Sequence, residues 1–492
     1  MRTVISFSLL VVLLAGCMSI SLKSSGVDRA PIGDEEFSWA PVSGFVSAQD
    51  HPLSTYGIDV DTAAYGHVRR YLEQGRMPPL NAVRIEEMIN AFDYGDPRPR
   101  EGSLAVHTEV ASSPWASMHR LVRIAVTGRV VDRAQRPDAN LVFLIDVSGS
   151  MDRANKLPLV KQSMLVLLDE LEARDSVAIV TYRDEAEVVL PPTSIGSRRR
   201  IERAIRGLEA DGATNGTAGL DEAYEQADIA YVRNGINRVI LATDGDFNRG
   251  RTDAGSLELF IRRKAQRGID LTCLGVGDGN LKDSNLEALA NAGNGHYDYL
   301  RDRADARRVL MERLESTLMV VARDVKVQVE FNPARVAAYR LIGYENRTLA
   351  AEGFANETVD GGELGAGQAS VALYEIVPAG LGHALPGVEK LRYRENEAPS
   401  GSPELLTVKV RYRDTDPRRV EHPVVDGGAA YANASDDFRF TAGVAAFGML
   451  LRDDGHRGAA TYGMAEELVG RRDPELLTLM RAAARLDDAP RR

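Results

Sequence analysis

Between Asn140 and Ala322 the apolar positions switch repeatedly between runs of a strand's length and stretches with a helix's period. Strands are predicted at Asn140–Asp146, Ser176–Tyr182, Glu185–Leu190, Arg238–Asp244, Ile269–Val276 and His296–Leu300. The first, fourth and fifth are almost wholly apolar, as central strands of a parallel sheet covered on both faces should be. Helices are predicted at about Lys156–Ala173, Ser197–Leu208, Thr217–Val232, Gly255–Gln266, Ser284–Ala292 and Asp305–Ala322. In the first of these, Leu159, Val160, Met164, Leu167, Leu168 and Leu171 form one apolar face, and Pro158 suits its first turn. Only a tight turn separates the second and third strands, which makes one of them an antiparallel edge. The pattern is that of an open α/β domain, doubly wound around a mostly parallel six-stranded sheet.

On both sides of this unit the period becomes that of β-structure. Leu104 to Val131 reads as a strand pair, and further strands are predicted at Asp324–Phe331, Ala337–Ile342, Ser370–Val377 and Leu405–Tyr412. Two strands alone make no stable sheet, so the two flanks are expected to form one β-sandwich into which the α/β domain is inserted. Ahead of it lie a short strand at Ser54–Asp61, a helix capped by Thr62 and running to Gln74, and a helix from Asn81 to Phe92. The tail from Phe438 to Arg485 is helical. The expected units are therefore an N-terminal α+β region at 48–100, sandwich strands at 101–138, the α/β domain at 139–322, the rest of the sandwich at 323–415, and a linker with C-terminal helices at 416–492.

A chain of 492 residues exceeds one core, in keeping with this division. The net charge of −11 argues against a nucleic-acid partner. Of the two cysteines, Cys273 lies in an apolar strand and reads as a small buried hydrophobe, so no disulfide framework is expected. The eight histidines show no zinc-ligand spacing. At the N-terminus, Arg2 precedes an apolar stretch, Val4 to Leu14, with the length of a signal peptide's core. Leu14-Ala15-Gly16-Cys17 resembles the bacterial lipobox. That resemblance implies removal of residues 1–16 and lipid attachment to the Cys17 sulfur, with 17–47 as a flexible tether to the membrane. The implied location is the bacterial cell envelope. In a Gram-negative cell, Met18 after the cysteine points to the outer membrane, at its periplasmic face or the surface.

The chemistry concentrates where strands end. Asp146-Val147-Ser148-Gly149-Ser150 places one carboxylate and two hydroxyls at alternate positions on the loop leaving the first strand. Such ligands suit a hard divalent cation, although the same residues also serve as helix caps and turns. In an open α/β sheet, ligands bind at the carboxyl ends of the strands. Asp244 stands at the end of the fourth strand and Thr214 in the loop before the third helix, so adjacency of strands one and four would bring all three loops together. Asp244 does not open an EF-hand loop, because Arg249 and Gly255 occupy the positions of its glycine and glutamate. Asp59 and Asp61 read as turn and cap groups, and His296 as a strand-edge residue.

The set Asp146, Ser148, Ser150, Thr214 and Asp244 resembles the metal-ion-dependent adhesion site (MIDAS) of von Willebrand factor type A domains in residue type, order and strand context. The resemblance implies a Rossmann-like fold and a divalent ion, Mg²⁺ first with Mn²⁺ or Ca²⁺ as alternatives. It also implies a protein partner that offers an exposed Asp or Glu. Tyr56 to Ala63, Val83 to Asn90, Tyr339 to Arg347 and Asp437 to Phe440 are similar to the flanking regions of the YfbK-like lipoproteins of that family. No nucleophile elbow, Walker loop or dinucleotide fingerprint occurs, so no enzymatic activity is expected. The expected function is metal-dependent partner binding at the envelope. The alternative is an envelope scaffold in which the metal only stabilises the fold.

Overall fold

The computed structural model describes residues 29–212, 216–245, 254–309, 318–380 and 401–488. The first part comprises β1 (Val46–Ser47), β2 (Leu53–Gly57), α1 (Ala63–Glu73), α2 (Ile85–Asn90), β3 (Leu104–Ser112) and β4 (Arg120–Gly128). The α/β part follows as β5 (Ala139–Asp146), α3 (Leu157–Leu168), β6 (Ser176–Tyr182), β7 (Ala186–Ser194), α4 (Arg198–Arg206), α5 (Gly216–Ile229), β8 (Ile236–Thr243), α6 (Ala254–Gln266), β9 (Asp270–Val276), α7 (Asp283–Ala292), β10 (Tyr297–Leu300) and α8 (Arg303–Arg307). The chain then returns to β-structure with β11 (Val320–Phe331), β12 (Val336–Ile342), β13 (Thr348–Leu349), β14 (Leu364–Gly365), β15 (Ala369–Pro378), β16 (Glu404–Arg413) and β17 (Pro417–Val425). It closes with α9 (Asp436–Leu451), α10 (Tyr462–Val469) and α11 (Pro474–Asp487).

The central sheet has the order β10-β9-β8-β5-β6-β7, parallel throughout except for the edge strand β7. Pro191 and Pro192, which lack the N–H a ladder needs, are tolerated in β7 because it is an edge. Strand β5 is buried at every residue, and its side chains alternate between two cores. Leu141, Phe143 and Ile145 pack on the face covered by α3 and α4, Val142 and Leu144 on the face covered by α5. This double burial explains why β5 reads as a continuous apolar run.

The sandwich consists of two further sheets, β1-β12-β15-β4-β3 and β13-β2-β11-β16-β17. Each combines strands from both sides of the α/β domain, which is thus inserted between β4 and β11. Val122, Ile124 and Val126 of β4 face Val325, Val327 and Val329 of β11 across one core. On the opposite face of β4, Leu121 and Ala125 meet Phe440, Val444 and Phe447 of α9, so the helical parts form a third layer. Among the described residues no helix is long and apolar enough to cross a membrane.

Several local expectations are corrected. Val320 to Ala322, expected at the end of a helix, lie in β11, where Val320 and Ala322 pair with Gly365 and Leu364. The helix expected over 81–92 is only α2, preceded by a 3-10 turn at Leu80–Ala82. Arg84 has extended backbone there, and its guanidinium forms ion pairs with Glu87 and Asp283. Thr62 stands at the N-cap of α1 without capping it, because its hydroxyl donates instead to Asp298 Oδ1 at 2.9 Å. Pro417–Val425, read as linker, is the edge strand β17. Its exposed Arg418, Arg419 and Glu421 hide the strand pattern, as charged edges do. The flexible tether expected through residue 47 is docked over its described residues, from Arg29 onward, whose Nη1 donates to Leu451 O at 2.6 Å. Asp34 N donates to Gly279 O at 2.7 Å, and the buried Glu35 pairs with Arg70 at 2.6 and 2.7 Å. Cys17 lies outside the described residues.

Candidate metal centre

The site forms because β5 and β8 are neighbours while their onward connections leave to opposite faces of the sheet. Register pairs Ile145 with Ala242, so Asp146 and Asp244 emerge side by side at the carboxyl end. Both are fully buried. Asp146 Oδ1 accepts from Ser148 N at 2.9 Å. Its Oδ2 accepts from Thr243 Oγ1 at 3.0 Å and from Tyr182 Oη at 3.2 Å. The Ser148 and Ser150 hydroxyls lie 3.0 Å apart, and Ser150 Oγ donates to Asp244 Oδ2 at 2.6 Å. Four of the five expected residues are therefore assembled. The fifth, Thr214, lies outside the described residues. The loop that leads to it is fastened to this turn: Gly149 N donates to Gly212 O at 3.0 Å, and Asp211 N to Val147 O at 2.8 Å.

The residues fit a hard divalent cation. Every side-chain donor is oxygen, and Asp244 Oδ1 is a buried carboxylate oxygen without a hydrogen-bond partner, a costly arrangement unless a cation or a donor reaches it. Burial lifts the Asp146 carboxyl to about 6, opposed by the hydrogen bond from Ser148 and reinforced by the charge of Asp244. A bound cation would favour the ionised form.

Tyr182 and Lys156, which the sequence reading did not single out, shape the site together with Thr243 and Gly245 on either side of Asp244. Tyr182 and Thr243 orient Asp146; the signal for Tyr182 was its place opposite Asp146 in the β5–β6 register, which needs the strand order. Lys156 donates through Nζ to Asp244 Oδ2 at 2.7 Å and to Asn280 Oδ1 at 3.1 Å. Gly245 has φ +107°, and a Cβ there would lie 2.3 Å from Lys282 N, so only glycine lets the Asp244 turn approach the loop after β9. Thr243→Val keeps the shape but removes a donor to Asp146 and the acceptor for Gly245 N at 3.1 Å. The expected loss is about 1–2 kcal/mol in urea denaturation; an unchanged midpoint would refute this role for the hydroxyl.

Asp59 is a turn group as expected, its Oδ1 accepting from Asp61 N at 3.2 Å, but Asp61 caps no helix, and both do more than shape a turn. Both are buried and share one guanidinium, Arg347 Nη2 lying 2.9 Å from Asp59 Oδ1 and 3.3 Å from Asp61 Oδ2. Asp61 also accepts from Tyr297 N at 3.0 Å, and Arg84 pairs with Asp283 at 2.5 Å. His296 is buried, with Nδ1 3.9 Å from Asp61. These contacts tie the N-terminal region, the α/β domain and the sandwich together.

Residues 140–312 match the family described as von Willebrand factor type A domain, residues 31–123 the one described as von Willebrand factor, and residues 316–482 the one described as Uncharacterized protein YfbK, C-terminal. The chain is 39% identical to Uncharacterized protein YfbK of Escherichia coli (strain K12) over 416 residues, covering 82% of this chain and 71% of that protein. It belongs to the YfbK-like von Willebrand factor type A proteins. Uncharacterized protein sll0103 of Synechocystis sp. is 27% identical over 296 residues, 58% of this chain and 69% of that one. Among solved structures, von Willebrand factor type A from Catenulispora acidiphila superposes with a TM-score of 0.44 at 18% identity, covering 78% of this chain and 91% of that one. Von Willebrand factor type A domains commonly bind a divalent metal at a MIDAS and mediate protein–protein interactions.

Proposed function

We propose that this YfbK-like protein is a lipid-anchored component of the bacterial cell envelope that binds a protein partner through a divalent ion. Asp146, Ser148, Ser150, Thr214 and Asp244 would hold the ion, Mg²⁺ above Mn²⁺ or Ca²⁺, and an exposed Asp or Glu of the partner would complete its coordination. The observation that carries this reading is the buried, unpartnered Asp244 Oδ1 set among hydroxyls at the meeting of β5 and β8. Hydroxyl ligands add no charge, so the ion keeps its attraction for an outside carboxylate. The lipid anchor rests on Cys17 and the apolar segment before it, and Cys17→Ser should release the protein from membranes.

Mg²⁺ should raise the melting temperature of the wild-type protein, because it binds only the native state. Asp146→Ala should abolish that rise together with EDTA-sensitive capture of a partner from envelope extract. Capture that persists in EDTA would overturn the reading. The ion pairs between α7, the N-terminal region and the sandwich favour a second reading, a rigid scaffold in which the metal only stabilises the fold. A Mg²⁺-dependent rise in melting temperature without metal-dependent capture would support that alternative.

A further inference from the structure

We propose that Lys156 is a resident counter-cation of the metal site and sets its specificity, weakening the hold on the metal while strengthening the pull of the bound metal on an anionic ligand. This rests on the metal-dependent reading given above and extends it to a residue outside the metal set.

Three observations carry it. The first is position. The Lys156 side chain is 2% exposed, and its ammonium takes Asp244 Oδ2 while Oδ1 of the same carboxylate stays without a partner. One oxygen is thus neutralised and the other left for a cation.

The second is that the structure is built around this lysine. Its stem lies flat on Gly277, where a Cβ would fall 2.3 Å from Lys156 Cε and 2.6 Å from Cγ. Gly277 has φ +75°, a conformation that side-chain-bearing residues rarely adopt. Asn280, on the same loop, accepts the ammonium's second hydrogen bond. That loop is itself clamped from outside. Gly279 N donates to Glu35 Oε1 at 2.8 Å, Glu36 N to Leu281 O at 3.0 Å, and Asp283 N to Glu36 O at 3.1 Å. A buried ammonium held this way has lost its hydration, and its position is fixed by three segments of the chain.

The third is charge. Asp146 and Asp244 carry two negative charges and the serine hydroxyls none. With Lys156 the site holds one net negative charge, and a divalent ion makes it singly positive. Without Lys156 the loaded site would be neutral. In a partly desolvated site a unit charge a few ångströms away changes binding of another ion by about tenfold or more. Lys156 therefore acts against the metal and in favour of a carboxylate that arrives after it.

The test uses the full chain, with Mn²⁺ alone as the metal probe and acetate as the carboxylate probe, both by calorimetric titration. Lys156→Gln keeps a donor toward Asp244 and removes the charge; Lys156→Met removes both. Each is expected to bind Mn²⁺ about tenfold more tightly than wild type. Acetate should tighten Mn²⁺ binding less in the variants than in wild type. Unchanged or weaker Mn²⁺ binding by folded Lys156→Gln overturns the role of Lys156 and leaves the metal site standing. A wild-type protein that binds no Mn²⁺ overturns the metal site and this inference together. Loss of fold in both variants that Mn²⁺ does not restore assigns Lys156 to folding alone and also overturns it.

Discussion

Arg347→Met should destabilise the protein by about 3–5 kcal/mol, the usual result of removing one partner from a buried ion pair. Arg347 serves two carboxylates, Asp59 and Asp61, whose side chains are each 2% exposed. Methionine fills much of the space but leaves both acids without their cation. Burial, and then the neighbouring Asp59, already push the Asp61 carboxyl well above its ordinary range. Arg347 pulls the Asp61 carboxyl down, so losing the guanidinium raises it further in the folded state. A carboxyl raised on folding contributes stability at low pH that is lost as pH climbs through its folded value. The variant should therefore lose least near pH 5 and most near pH 8, as read by denaturant unfolding at the two values. An equal loss at both would show that packing, rather than charge, is what Arg347 provides. The effect should reach beyond the sandwich, because Asp61 also holds the start of β10 through Tyr297 N.

Glu363→Gln should have the opposite sign, stabilising the protein by about 2–4 kcal/mol at pH 8 and by little at pH 4.5. Glu363 is buried beside Asp360 and Asp270, and burial first, then Asp360, lifts its carboxyl to about 8, with Arg323 pulling the other way. Its ordinary value is 4.5, so the window over which wild-type stability is lost runs upward from there to about 8. Glutamine has the shape of the protonated acid and never ionises. The difference in unfolding free energy between variant and wild type should grow steadily across that window. A difference independent of pH would mean that Glu363 is not neutral in the folded state.

Much of the α/β domain was legible in the chain because its signals are local. A strand buried on both faces reads as a mostly apolar run, and β5, β8 and β9 each carry such a run. The candidate metal residues were legible for a related reason: the loop after β5 carries its oxygen-bearing side chains at fixed spacing, and Asp244 marks the end of another strand. Elements that owe their conformation to a pairing partner rather than to their own pattern were misread. β17 is a strand because β16 lies beside it, and its own charged residues give no apolar pattern. Val320 to Ala322 end a stretch whose sequence pattern predicts a helix, yet their backbone groups pair with β14. The N-terminal segment reads as tether from its Ser, Gly, Pro and Asp content, and only the loop after β9 together with Arg70 and Tyr71 of α1 gives residues 32–36 a place to bind.

The sequence by itself determined the class of fold and four of the residues now found together, Asp146, Ser148, Ser150 and Asp244, because strand burial and loop spacing are properties of short segments. Tertiary structure alone decided which charges meet. Lys156 reaches Asp244 across 88 positions and Arg347 reaches Asp59 across 288. A lysine in a first helical turn and an arginine in a loop look like solvated surface residues until the fold removes their water. Once buried, each must have a carboxylate within hydrogen-bonding reach, and only the packing of distant segments supplies it.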